Sequence, residues 1–276
     1  MSKAALTLLL CGMVVGAQPD DVAERVRVAI AAGRLDDALT FANQAVAASP
    51  NDPAVYSLRA SVHSARREPT KAVADFDRLL AIDPKSAAAY DRRGSEQFKL
   101  GRITESLADF DKYLELRPSE RPGHWRRGIT LYYAGKFEAG AKQFAAYEKV
   151  DNNDVENAVW HFLCNARAKG VEKARAGLLK IGHDRRVPLM TVYDLFAGKA
   201  QPADVLAAAE AGNPSVDRRK VQLFYAHLYL GLYHEAVGDS KPALEHLKKA
   251  AGEYANDGYM GDVARVHVAL RTKAKP

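Results

Sequence analysis

The 276-residue sequence has little cysteine and no long apolar run. Its two cysteines, Cys11 and Cys164, exclude the disulfide framework that stabilises many small secreted domains. No apolar run reaches the ~20 residues that cross a bilayer as a helix, which excludes a polytopic membrane protein. Apolar residues make up 47% of the chain and charged residues 27%, a balance that excludes intrinsic disorder.

Alanine, by contrast, is abundant. The chain has 48 alanines, and alanine is the strongest helix former, so the composition predicts an all-α fold. The net charge of +6 is spread along the chain and accompanies no recognition motif for nucleic acid. We therefore expect no nucleic acid partner.

Residues 1–17 have the pattern of a secretory signal peptide. Lys3 precedes an apolar stretch at 4–16, and small residues lead to Ala17. We expect cleavage after Ala17 and an exported mature chain, periplasmic or secreted, with no transmembrane span. A buried core helix is the alternative. Lipidation of Cys11 is less favoured, because Leu10 stands where a small residue is needed, and an outer-membrane lipoprotein is accordingly the less favoured location.

A period of 34 residues runs through the sequence. It is carried by three prolines, three phenylalanines and two pairs of glycines: Pro50, Pro84 and Pro118; Phe76, Phe110 and Phe144; Gly94 and Gly128; Gly101 and Gly135. This pattern resembles the tetratricopeptide repeat (TPR), a unit of two helices. The resemblance implies an all-α, α-α superhelix, that is, a solenoid of stacked units.

The period divides the chain into regions. Four units are predicted at 19–52, 53–86, 87–120 and 121–154, within a region 18–154. Residues 155–216 form an irregular segment of degenerate helical pairs, with helical stretches at 155–169, 171–181, 188–197 and 203–211. The region 217–271 holds a final unit at about 224–257 and a capping helix at 259–271, and 272–276 is a basic tail.

The first helices of such units line the concave surface of a solenoid, where ligands usually bind. We predict that a protein or peptide partner contacts seven residues there: Arg92, Phe98, Trp125, Arg126, Ile129, Tyr132 and Tyr133. The aromatic members form a stripe at helical spacing that suits an extended peptide or a partner helix. The alternative is that this stripe packs against the irregular segment or the final repeat.

The arginines divide into two groups. Arg59 and Arg93 precede the small helix-contact position, and we predict that they pair with Asp75 and Asp109 in their own repeats. Arg92 and Arg126 have no such partner in sequence and are predicted to contact an acidic partner.

Motifs for catalysis are missing. The sequence has no GxSxG elbow, P-loop, HExxH or CxxC, so we expect no enzymatic activity, no cofactor and no metal. One alternative is an enzyme with a Cys/His site, since His161 and Cys164 share a helix face. A metal site of His227, His234 and His246 is not expected, because the first two lie two helical turns apart.

A narrower resemblance rests on the run from Gly123 to Gly135, on Tyr147 and on the helix that contains Trp160. With the irregular middle and the late repeat at 224–238, it resembles NlpI-type envelope proteins. That resemblance implies a non-catalytic adaptor that dimerises and brings together murein hydrolases and a periplasmic protease. A structural homo-oligomer is a further alternative.

Overall fold

The computed structural model describes residues 19–273, with side chains from 22 to 272, and the regular structure of this range is helical. It contains fifteen α-helices: α1 (Pro19–Ala31), α2 (Leu35–Ala48), α3 (Pro53–Ala65), α4 (Pro69–Ile82), α5 (Ala87–Lys99), α6 (Ile103–Leu116), α7 (Trp125–Tyr133), α8 (Phe137–Tyr147), α9 (Val155–Lys169), α10 (Val171–Ala176), α11 (Leu189–Phe196), α12 (Pro202–Glu210), α13 (Val216–Ala236), α14 (Ser240–Ala251) and α15 (Tyr259–Lys273). The predicted all-α class is confirmed. None of these helices is long and apolar enough to span a bilayer. The predicted signal peptide and residues 274–276 of the predicted tail lie outside the described residues.

The first eight helices pack as four successive pairs, one pair in each predicted unit. The second helix of a pair ends just before its proline, at Ala48, Ile82 and Leu116, because proline cannot continue a helix. Between the two helices, Gly33, Gly101 and Gly135 have φ near +70°, the left-handed conformation predicted for a helix end.

Close approach of the paired helices depends on a glycine that faces an aromatic ring. A Cβ atom added to Gly94 would lie 2.9 Å from the ring of Phe110, and one added to Gly128 would lie 2.6 Å from the ring of Phe144. Both rings are buried. The phenylalanine of each repeat therefore fills the space that a side chain on the first helix would need.

The predicted ion pairs within the repeats are present. Arg59 Nη2 lies 2.6 Å from Asp75 Oδ1, and Arg93 Nη2 lies 2.7 Å from Asp109 Oδ1. Both aspartates are buried, and each salt bridge joins the first helix of a unit to its second helix. These pairs neutralise part of the positive charge inside the fold.

The irregular segment differs from prediction at two boundaries. The stretch predicted at 171–181 ends at Ala176, and Gly177 N donates the last helical hydrogen bond, to Lys173 O. Helix α13 begins at Val216, two turns before the predicted start of the final unit. Ser215 caps its first turn by accepting a hydrogen bond from Arg218 N. The main core surrounds α9 and α13.

The last helix, α15, turns back onto the earlier repeats and contacts α5 as well as α14. Arg67 occupies the phase at which other units have a left-handed glycine, and it adopts that conformation with φ of +58°. For a residue other than glycine this costs roughly 1 kcal/mol. Its Nη2 atom lies 2.7 Å from Asp262 Oδ1 on α15, so the second repeat is joined to the last helix.

Candidate partner-binding surface

The predicted aromatic stripe is assembled in one place. Its members come from α5 and α7: Phe98, Trp125, Ile129, Tyr132 and Tyr133. The ring centroids of Phe98 and Tyr133 lie 5.4 Å apart, and Tyr132 meets Trp160 of α9 edge to face at 5.4 Å. Residues from two successive first helices thus form one aromatic surface.

This surface is covered by α15. The ring of Phe98 stacks on Tyr259 with centroids 5.4 Å apart, and Trp125 meets the same ring edge-on at 5.1 Å. Further along α15, Tyr133 Oη hydrogen-bonds to His267 Nδ1 at 2.9 Å. The stripe therefore packs against the chain's own last helix.

The expectation of an open aromatic groove needs correction at these positions. Phe98, Ile129 and Tyr132 are 0%, 1% and 5% exposed, so they present no surface to a partner in this structure. The physical reason is that other helices of the chain pack on the stripe. Tyr259 of α15 covers Phe98, and Trp160 of α9 packs against Tyr132. Tyr133 is partly buried by α15, and Trp125 is half-buried at its edge.

The carboxylate of Glu235 binds the C-terminal half of α15. Glu235 of α13 accepts a hydrogen bond from His267 Nε2 at 2.7 Å and from Arg271 Nε at 2.9 Å. Burial alone would raise the pKa of Glu235, but the hydrogen bonds from Arg271 and His267 outweigh it and hold that pKa well below its usual range. Neither Glu235 nor His267 has a role that the sequence predicts, because the two residues lie in different elements and share no motif.

Arg126, predicted to contact a partner, already has an internal counter-ion. Its Nη2 atom lies 2.6 Å from Asp91 Oδ2 on α5, and His124 Nε2 lies 2.9 Å from the other oxygen of Asp91. Burial would raise the pKa of Asp91, yet the hydrogen bond from His124 and the charge of Arg126 lower it. Contact of Arg126 with a partner stays a prediction.

Arg92 has a different environment. It donates from Nη1 to Ser57 Oγ at 3.1 Å and from Nη2 to Ser61 Oγ at 2.6 Å. Among the residues that the structure describes, no carboxylate forms a salt bridge with its guanidinium. Burial lowers the pKa of Arg92, because desolvation disfavours its charged form. With respect to the described side chains, Arg92 therefore combines partial burial with the lack of a salt-bridge partner.

Arg92 forms one wall of a cavity that α15 leaves open. This cavity of about 470 Å³ lies between the first helices of the first three units and the end of α2, and we call it the N-terminal groove. Its walls are mostly small and apolar, with Arg92, Ser57 and Ser61 at one side. The apolar lining consists of Val22, Ala23, Ala45, Ala48, Ala54, Val55 and Leu58, and the other polar residues of the lining are Arg27, Ser49 and Asp52.

The family model of the tetratricopeptide repeat matches residues 24–87 and 57–121, which overlap the first three helix pairs. Residues 24–121 are therefore tetratricopeptide repeats. Solved TPR structures have the same fold along most of the chain. A TPR protein from Parabacteroides merdae has a TM-score of 0.56 at 16% identity and covers 92% of this chain and 98% of its own.

Two further solved structures are similar. The C-terminal part of a TPR repeat-containing protein from Cytophaga hutchinsonii has a TM-score of 0.54 at 15% identity, over 87% of this chain and 99% of that one. PilF of Pseudomonas aeruginosa has a TM-score of 0.50 at 14% identity, over 93% and 97%. At these identities the likeness shows the fold. No curated protein matches this TPR chain by sequence.

A second cavity, of about 540 Å³, lies beside the start of α15 and is lined in part by Trp125, Trp160 and Tyr259. At its edge Arg186 contacts three carboxylates, those of Asp154, Glu156 and Asp184. The sequence predicts no role for Arg186, since two of these partners lie at the start of α9, 30 and 32 residues earlier in the chain. This charge cluster fixes the irregular loop 182–188 against α9.

The residues considered for a Cys/His enzyme do not form a nucleophile pair in the TPR fold. Cys164 is fully buried, and burial raises the pKa of its thiol to about 12, so it stays protonated at neutral pH. The ring of His161 lies against Asn165 Nδ2, at 3.1 Å from Nε2. No hydrogen bond joins His161 to Cys164 in the described part of the chain.

The histidines of the final repeat do approach one another. His227 Nδ1 and His246 Nδ1 lie 2.7 Å apart, and the ring of His234 stacks on that of His246 at 5.6 Å. Burial, followed by the neighbouring His246, lowers the pKa of His227 to about 4. Within residues 19–273 no group of three or more side chains is arranged to hold a metal ion.

Proposed function

We propose that this TPR protein is an exported scaffold that holds a segment of another protein in the N-terminal groove. The observation that supports this proposal is the division of the concave face. From Phe98 onward that face is filled by α15, whereas along α1, α3 and the start of α5 it stays open. An apolar cavity with a few polar anchors suits an extended segment of a partner.

A role without chemistry is consistent with the side chains. Solenoids present extended surfaces for binding, and the reactive groups considered above are buried or paired within the fold. Cys164 is the clearest case, since a protonated and fully buried thiol is a poor nucleophile. We therefore propose a scaffold or adaptor and not an enzyme.

Export and the class of partner rest on the sequence. The pattern at 1–17 supports a cleaved signal peptide, and the resemblance to NlpI-type proteins supports murein hydrolases or a protease of the cell envelope as partners. N-terminal sequencing of the mature protein tests the first point. A start at Gln18 supports export by cleavage, whereas a lipidated start at Cys11 would make the chain a lipoprotein.

Site-specific photo-crosslinking tests the groove. A photoreactive phenylalanine replaces Leu58, which lines the N-terminal groove on α3, and a matched variant carries it at Ala74, an exposed residue of α4 in the same unit. We expect a defined partner to crosslink from Leu58 and not from Ala74. Crosslinks from Ala74 alone, or none from Leu58 in envelope extract, would refute the groove. A crosslink to a second copy of the chain would indicate the homodimer.

A further inference from the structure

Two arginines occupy the same phase of successive TPR units. Arg92 of α5 and Arg126 of α7 are one repeat period apart, and each reaches back to the first helix of the preceding unit. Arg126 meets a carboxylate there, that of Asp91, at 2.6 Å. The residue one period before Asp91 is Ser57, so Arg92 finds a hydroxyl group in the corresponding place.

Among the side chains at 22–272, no carboxylate forms a salt bridge with Arg92. Its guanidinium is half-buried above the ring of Phe76, 5.1 Å from the ring centroid. The two acidic residues nearest to it on its own helix are engaged elsewhere: Asp91 with Arg126 at 2.6 Å, and Glu96 with Lys99 Nζ at 2.7 Å. A partly desolvated cation that has only neutral acceptors gains when a negative charge reaches it.

We propose that Arg92 binds the side-chain carboxylate of an aspartate or glutamate in the partner segment, an inference that rests on the proposed function of the N-terminal groove. The carboxylate takes the role beside Arg92 that Asp91 has beside Arg126. Two other charged residues line the groove: Arg27 forms a salt bridge with Glu24, and Asp52 accepts a hydrogen bond from Ala54 N. Most of the remaining lining is small and apolar, so small apolar side chains flank the acidic one.

A side chain is favoured over a chain terminus by the repeat itself. The equivalent arginine, Arg126, is satisfied by an aspartate side chain that projects from a continuous backbone. An acidic residue within an extended segment can approach Arg92 in the same way while its backbone continues along the groove.

Peptide selection tests this inference. The mature protein is presented with a phage library of random dodecapeptides fused through their C-termini, so that no free terminal carboxylate is available, and with a second library whose C-termini are free. We expect enrichment of Asp or Glu at one position in the fused library. Ser57→Asp supplies the missing carboxylate within the protein and should weaken the selected peptides about tenfold to a hundredfold.

Ala74→Asp is the matched control, because it adds the same charge on the exposed face of α4, outside the groove, and should leave affinity within about threefold. Arg92→Gln should abolish the acidic preference while the protein stays folded, as checked by circular dichroism. Selected peptides without acidic enrichment, enrichment only at free C-termini, or binding unaffected by Ser57→Asp would overturn the role of Arg92 and leave the groove intact. Failure of the wild type to select any peptide from either library would instead overturn the groove, and the inference with it.

Discussion

Glu235→Ala should release α15 from the concave face. Glu235 is the acceptor for both His267 and Arg271, which lie one turn apart on α15. Alanine removes that acceptor and leaves the fully buried ring of His267 with an unpaired Nε2. Because the aromatic contacts of Tyr259 lie at the other end of the helix, we expect the C-terminal half of α15 to detach first.

The magnitude follows from the hydrogen bonds to two partners, His267 and Arg271. Each charge-assisted hydrogen bond contributes about 1.5–3 kcal/mol, and the glutamate side chain is 17% exposed, so part of the charge is screened by water. We expect a loss of about 2–4 kcal/mol in the free energy that holds α15 in place. Glu235→Gln keeps an acceptor oxygen without the charge and should lose less.

Hydrogen exchange measures the release directly. Amide exchange in 259–272 should accelerate in Glu235→Ala, and the exposed aromatic stripe should bind a hydrophobic dye. Glu245→Ala is the matched control, since Glu245 is an exposed residue on neighbouring α14, and it should change stability by less than about 0.5 kcal/mol.

Acid gives an independent check on Glu235. Its folded pKa is lowered, so its contribution to stability is present above the unfolded value near 4.3 and is lost as the pH falls further. Wild type should therefore lose protection of α15 below about pH 4, and Glu235→Ala should show no such step. Unchanged amide exchange in Glu235→Ala at neutral pH would refute the role of Glu235. It would indicate that the contact between Tyr259 and Phe98 keeps α15 in place.

For two other substitutions the direction of the change in stability follows from the structure. His227 has a folded pKa of about 4, below the usual 6.5. Its contribution to the free energy of unfolding should therefore be full above pH 6.5 and fall towards pH 4. The loss has an upper limit of about 3 kcal/mol, because His227 and His246 titrate together. His227→Gln should flatten the pH dependence of urea unfolding over that range, and an identical slope would contradict the assignment. Gly128→Ala gains about 0.5–1 kcal/mol of helix propensity but places a Cβ 2.6 Å from the ring of Phe144, which costs about 1–3 kcal/mol. We expect a net loss of about 1–2 kcal/mol by urea unfolding that Phe144→Leu relieves, and a stabilised Gly128→Ala would contradict it.

The repeat architecture was predictable because it is local. A single repeat contains the glycine that ends the first helix, the proline that follows the second and a glycine–phenylalanine pair such as Gly94 and Phe110 that sets their distance. Arg59 and Asp75 were predictable as a pair for the same reason, since a constant spacing within one unit fixes their geometry.

The position of α15 was not predictable in this way. Its contacts join residues far apart in the chain, as in Tyr133 with His267 and Arg67 with Asp262, and no periodicity links them. The sequence contained one hint, an arginine at the left-handed position where other units have glycine. The structure explains this exception, because the arginine forms a salt bridge with Asp262 of α15.

The closing of the concave face by α15 also limits how a partner can be recognised. A solenoid normally offers a surface that grows with each repeat, but here the cap removes the aromatic part and leaves a groove of about 470 Å³. A short segment buries little apolar area, so hydrophobic contact alone gives weak binding and little selectivity. Discrimination between partner sequences must then come from a polar group of the groove that stays without a hydrogen-bond or charge partner when the wrong sequence binds. Arg92 is that group, because a serine at position 57, where the next unit has an aspartate, leaves its charge for a partner to neutralise.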